Sequence, residues 1–294
     1  MPLNLPIVWC LSWLLFLPFF SKGQTLPFFN QYRELHSFTN PASVSPDYIL
    51  QVSRLTTGIS TYWSDKLANA PAMTVFHVEN VSQPNTKNIF RLLTGGHIWH
   101  GAAQRGVNLR LGGLFLSENP KEQGVSLGLN MGLKQLKPSE NKGFYADMAV
   151  GASAYFCFDK EKNHLIKLDG AIQQLFTKPI ISEKNSISDS LKTAFYGQLT
   201  YIAFTQEFSF LEVSMAITPT HILYNGRYNI QRYCWLGGGF TSTKGVNFEA
   251  GLYIGGNTGF KNFGTKLGFS YSSGSRIANA EGDIYELHFS CLMF

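Results

Sequence analysis

Charge is scarce in this chain. Lys, Arg, Asp and Glu make up 15% of its 294 residues, against about a quarter in ordinary soluble domains. Such a deficit argues against a surface that faces water all round. The net charge is only +5, with no Lys/Arg cluster, which excludes a nucleic-acid footprint. Cysteine is sparse too. Cys10 falls in an N-terminal apolar run, and Cys157, Cys234 and Cys291 are widely spaced. An odd remainder with no C-x-x-C pair excludes a disulfide framework and a zinc site; these three are expected to pack as small apolar residues. Beyond the N-terminus no apolar run approaches twenty residues, and the mean hydropathy is −0.04, which excludes a helical membrane protein. No G-x-S-x-G elbow and no phosphate-cradling glycine loop is present. Neither an enzyme nor a bound cofactor is expected.

What is abundant is aromatic residues, at 14%, and glycine, with 28 copies. They stand in segments that alternate with a period of two, the spacing of a strand. In 124–136, Val125, Leu127, Leu129, Met131 and Leu133 share one face, and Ser126, Gly128, Asn130, Gly132 and Lys134 the other. Val107, Leu109 and Leu111 oppose Asn108, Arg110 and Gly112; Phe248, Leu252 and Ile254 oppose Asn247, Glu249 and Gly251. In the last stretch, Tyr285, Leu287, Phe289, Cys291 and Met293 oppose Glu286, His288 and Ser290. One face is apolar; the other is small and polar. This is the pattern of a transmembrane antiparallel β-barrel, apolar toward lipid and polar toward the lumen. Many segments reach ten residues, enough to cross a bilayer at a tilt. A soluble β-sandwich would need shorter strands and more outward charge.

About fourteen strands are expected, the first over 48–57 and the last over 283–294, which must close the barrel against the first. The longest connections fall at 58–71, 177–192 and 274–282. All are odd-numbered and so lie on one side, as the long outer loops of a barrel do. Ahead of the barrel, the apolar run from Ile7 to Phe20 and the small residues Ser21 and Gly23 read as a cleaved secretory signal peptide over 1–23. Residues 24–47 form a short periplasmic segment, and 48–294 the outer-membrane barrel.

That N-terminal segment carries Gln31-Tyr32 and, seven residues on, Asn40-Pro41-Ala42. This string resembles the start of the PorP/SprF family of Bacteroidetes outer-membrane proteins. Trp235-Leu236-Gly237-Gly238-Gly239-Phe240 resembles that family's W-x-G-x-G strand, and Gly282 with Glu286-Leu287 its final G-x-x-E strand. The resemblance implies an accessory role in type IX secretion and gliding motility, engaging, anchoring or helping to export a secreted surface protein, with other secretion-system components and outer-membrane lipid as further partners. On physical grounds Pro41 removes a donor and keeps Asn40 extended, while Asn bonds its own backbone in turns. The motif is therefore read as a structural turn seated at the periplasmic mouth.

Six charges are candidates for the lumen: Arg110, Lys134, Asp147, Glu249, Lys266 and Glu286. They could line a selective pore, or pair across a closed interior. A pore makes a porin-like or hydrophobic-solute transport barrel the alternative function. His97-Ile98-Trp99-His100 has metal-ligand spacing on a helix, but on a strand its two rings point to opposite faces, so no metal is expected there.

Overall fold

A sheet that lives in hydrocarbon has no water for its edge amides, so it must close on itself. The computed structural model does so. It describes residues 33–45, 55–64, 73–82, 90–101, 104–117, 123–136, 143–159, 163–181, 192–206, 209–219, 221–231, 233–242, 245–255, 263–277 and 280–293. The expected signal peptide, Gln31-Tyr32, residues 48–54 of the expected first strand, and Phe294 lie outside the described residues.

Fourteen long strands build the wall: β1 (Leu55–Ser64), β2 (Met73–Val81), β3 (Phe90–Gly101), β4 (Gln104–Leu116), β5 (Gln123–Leu136), β6 (Gly143–Cys157), β7 (His164–Gln173), β9 (Ala194–Gln206), β10 (Ser209–Ile217), β11 (Ile222–Ile230), β12 (Cys234–Thr241), β13 (Val246–Gly255), β14 (Phe263–Ile277) and β15 (Ala280–Met293). Each pairs antiparallel with its sequence neighbour, and β7 with β9. A three-residue β8 (Pro179–Ile181) lies against the start of β6. Closure is made by β15 on β1, in unbroken register from Leu55–Met293 to Ser64–Ile284. We call the end at which Leu55 and Met293 meet the terminal mouth.

The alternation orients the wall as the sequence requires. Leu109 is 69% exposed and Phe248 62%, whereas Arg110 and Glu249 between or beside them are 3% and 5%. The apolar side chains look outward and the polar ones inward. His97 accordingly faces the interior and His100 the outside.

Three expectations are corrected. The first described strand is Leu55–Ser64, so residues 58–64 are wall, not loop. Thr57, Ile59, Thr61 and Trp63 alternate weakly with Gly58, Ser60 and Tyr62, and it is pairing on both edges, to β2 and β15, that makes them a strand. The segment 274–282, read as a loop, is largely a hairpin extension: β14 runs to Ile277 and β15 starts at Ala280. Most important, Arg33–Ser45 does not rest at a mouth. It lies inside the barrel.

The enclosed segment makes one helical turn, α1 (His36–Thr39), and then a tight turn at Asn40–Ser43. Its apolar side chains are shared between two interior clusters. Leu35 and Phe38 pack with Met73, Val75 and Trp99 toward the far mouth. Val44 packs with Val81, Leu93, Leu114, Leu165 and Phe210 toward the terminal mouth. The segment is thus pinned by hydrophobic contacts at both ends of its course.

The seam is the part most exposed to steric error. A Cβ on Gly58 would sit 2.6 Å from the Phe289 carbonyl oxygen and 2.6 Å from the His77 ring. Gly58→Val is expected to destabilise the barrel by about 1–3 kcal/mol, lowering the urea midpoint at which the heat-modifiable folded band is lost on gels. Gly226→Val, on an outward position with open space around it, is expected to leave that midpoint unchanged.

Candidate functional site

The site is the occupied lumen, and the enclosed segment is gripped in two different ways. Its first half is held by charge. The Arg33 guanidinium donates from Nε to Glu212 Oε1 and from Nη1 to Glu249 Oε1, both at 2.6 Å, and from Nη2 to Ser214 at 3.3 Å. Beside it, the Glu34 carboxylate accepts from Arg227 at 2.9 Å and Lys266 at 3.2 Å, with His288 Nε2 3.7 Å away. Adjacent residues of opposite sign therefore meet adjacent wall groups of opposite sign. Burial alone would raise the Glu34 pKa, but Lys266, Arg227 and His288 outweigh it and hold the carboxyl well below its usual range. The wall supports the clamp in turn. Arg227 lies 4.5 Å above the Trp235 ring, and Gly237 leaves room for Glu249 to lean across, since a Cβ there would stand 2.6 Å from Glu249 Oε1.

The second half is held by its backbone. A turn buried in a protein must still find donors for its carbonyl groups, and here the wall supplies them in sequence. Asn130 donates to the Ser37 carbonyl at 3.2 Å, Gln173 to Thr39 at 2.5 Å, Ser126 to Ala42 at 2.6 Å, and Arg110 to both Pro41 and Ser43 at 2.6 Å. Asn40 shapes the turn. Its Oδ1 accepts from the Ala42 amide at 3.0 Å, while its Nδ2 donates to the Ala152 carbonyl at 3.1 Å and Asp169 at 3.4 Å. Ser43 accepts from Lys167 at 2.6 Å. The turn comes so close that side chains are excluded from the wall behind it: a Cβ on Gly128 would strike the Pro41 carbonyl, and one on Gly151 the Asn40 amide. Ser37 bridges Glu79 and His97, and His36 Nε2 stands 3.3 Å from Glu79.

Of the six charges read from the sequence as lumen candidates, three touch the segment: Arg110, Glu249 and Lys266. Asp147 accepts instead from Asn108 at 3.2 Å and Gln174 at 2.7 Å, and Glu286 from Ser270 at 3.0 Å. Lys134 is buried on the same side as Asp147, two positions along the ladder. Asn40, Pro41 and Ala42 form the centre of the grip, in the lumen and not at its edge. Sequence reasoning missed Arg33, Glu34, Glu79, Lys167, Asp169, Glu212 and Arg227. The last five occupy polar positions on alternating strands, so their inward direction was legible; Arg33 and Glu34 carried no periodic signal.

No family model and no curated protein matches the chain. Solved structures do. The toluene transporter TodX of Pseudomonas putida matches at 8% identity and a TM-score of 0.50, over 92% of this chain and 94% of that one. A TodX deletion mutant, a monoaromatic hydrocarbon channel, matches at 8% identity and 0.51, over 90% and 94%. An outer-membrane channel from P. putida F1 matches at 8% and 0.45, over 82% and 96%. The likeness is one of fold: this chain is a closed antiparallel barrel of the outer-membrane kind.

Removing one half of a buried ion pair leaves the other charge stranded, at a cost of about 3–5 kcal/mol. Arg33→Ala strands both Glu212 and Glu249, and is expected to loosen the segment rather than the wall. Limited proteolysis should then cut within residues 33–45 at least about tenfold faster, while the folded band on gels persists. Asn40→Ala, which removes neutral hydrogen bonds worth about 1–3 kcal/mol, is expected to accelerate the same cleavage less.

Proposed function

We propose that this chain is a gated passage of the outer membrane, porin-like or serving hydrophobic solutes, that its own N-terminal segment keeps shut at rest. One observation carries the reading: residues 33–45 stand in the lumen, attached through reversible contacts, two buried ion-pair sets and a row of carbonyl acceptors, to a wall that is itself polar. A barrel meant to be permanently solid has a cheaper filling in interlocked apolar side chains, because buried charge repays its desolvation only when its geometry is met in full. A polar wall around a separable polar filling suits a lumen that water enters when the filling moves. The fold shared with a toluene transporter supports the transport class.

A second reading, an accessory protein that engages a secreted surface protein of a type IX system, has a specific observation in its favour. Some of the residues that carry the PorP/SprF resemblance take part in the interior lock. Asn40, Pro41 and Ala42 form the gripped turn, and Gly237 of the Trp235–Phe240 stretch clears the path of Glu249 toward Arg33. In this reading the segment is released when the partner docks.

Planar-bilayer recording tests the first reading. The intact protein is expected to be nearly silent, and the double variant Arg33→Ala/Glu34→Ala to open more often by roughly two orders of magnitude. Silence from a variant whose segment proteolysis shows to be released would sink it. For the second reading, cross-linked purification from outer membranes is expected to bring down a large secreted protein, and a folded barrel that brings down none would end it.

A further inference from the structure

The outer wall is not uniformly covered. Across five strands the outward residues at one level are in register: Leu127 opposite Ala152, Ala152 opposite Gly170, Gly170 opposite Gly197, and Gly197 opposite Ile217. The middle three offer at most a methyl group, while Leu127 and Ile217 stand up at the two ends. Val150, Ile172 and Phe195 form a rim on one side. The result is a recess of about 500 Å³, within the size range of small-molecule pockets. Its lining also includes Ala171 and Tyr196, which belong to the inward-facing layer and are 6% and 7% exposed.

We infer that this recess binds an acyl chain of a membrane lipid. Location supplies the first argument. Leu127, 57% exposed, and Val150 continue the apolar face that meets hydrocarbon. The backbone amides across β5, β6, β7, β9 and β10 are engaged in the ladder, and the rim and end walls are apolar, so the recess has little to offer a polar ligand. Packing supplies the second. Hydrocarbon beside a void loses its dispersion contacts, and a chain laid in the trough meets protein on three sides instead of one. Direction supplies the third. Strands in such barrels tilt by about 35–45°, so a row crossing them at right angles is inclined by the same angle to the membrane plane. Its Ile217 end is the last residue of β10, at a barrel rim. A trough that runs from the rim toward the middle of the wall follows the course of a lipid tail below its headgroup. A second copy of the chain is a poorer fit, because the barrel wall is convex and beside the recess carries the outward side chains of Leu127 and Val150.

The recess backs directly on the interior lock. Gly151 and Ala152 line it from outside, while Asn40 presses on Gly151 and donates to the Ala152 carbonyl from inside. One layer of backbone separates the lipid chain from the turn that holds the segment. The inference does not depend on which function the barrel serves.

Photolabelling tests it. The full-length protein is placed in phosphatidylethanolamine–phosphatidylglycerol vesicles containing a phospholipid with a mid-chain diazirine, irradiated, and mapped by mass spectrometry. Labelling of 150–152, 170–172 and 195–197 is expected to exceed the rest of the wall by about tenfold. Gly197→Leu, which builds into open space, should bring it down to the level of the rest. Gly226→Leu, equally open but away from the recess, should not. Even labelling around the wall, or labelling that survives Gly197→Leu, overturns the proposal. So do cross-links to a second copy at these positions, and so does displacement of the label by toluene with the lipid still bound, which would assign the recess to a free solute.

Discussion

A charge taken out of water has to be answered by another, and the whole interior follows from that constraint at Arg33. Glu212 and Glu249 face the lumen from strands on either side of Arg227 and Gly237, and their side chains are 5% and 3% exposed. Arg227 lies between them in the register and is drawn to Glu34. Without Arg33 the two acids would share one cation that has another partner. The guanidinium settles this because its planar fork reaches both at once. Fixing Arg33 fixes Glu34, and Glu34 gathers Lys266 and Arg227. The charged half of the lumen is thus a single interdependent set.

Glycine placement follows from the same segment. In the charged half Gly237 makes room among the long Glu212, Arg227, Glu249 and Lys266 side chains, which meet the segment across a gap. Behind the turn, among the long Arg110, Lys167 and Gln173, two glycines let the segment lie against the wall: its backbone at Gly128 and the Asn40 and Pro41 side chains at Gly151. The lumen is therefore asymmetric: wall side chains meet charged side chains on one flank and carbonyl groups of the segment on the other. The outer surface mirrors this. Where the inner layer has lost its side chains at Gly151, the outer layer is also bare at Ala152, Gly170 and Gly197, and the wall there is little more than its hydrogen-bonded ladder.

How much of this the sequence discloses depends on the range of the interaction. Strand face is a local property, and the alternation of Leu127, Leu129 and Met131 with Ser126, Gly128 and Asn130 announces inside and outside correctly. Strand ends are less local. Thr56 to Ser64 carries few large apolar residues, and only its two partners make it a strand, so the local pattern ends the expected first strand at residue 57, short of Ser64. The destination of Arg33–Ser45 is not local at all. Asn40-Pro41-Ala42 announces a turn, and a turn is what forms, but nothing within the segment says that Arg110, Ser126 and Gln173 will surround it. The polarity of those residues was visible; its use was not.

The same separations govern the order in which the molecule is made. Arg33 meets Glu249 across 216 positions and Glu34 meets Lys266 across 232, whereas Asn40 and Pro41 meet partners on β4 to β7. Strands that paired in chain order would offer the carbonyl-binding flank first and the charged flank last, just before β15 meets β1. In that order the segment would be held by its main chain on an open sheet, and fixed ionically only as the sheet shuts around it. A barrel closed without the segment would seal, among the described residues, six wall carboxylates and five wall cations into its lumen with no Arg33 or Glu34 to bridge them. For strands that pair in that order, the strap would be the mandrel about which the cylinder is wound.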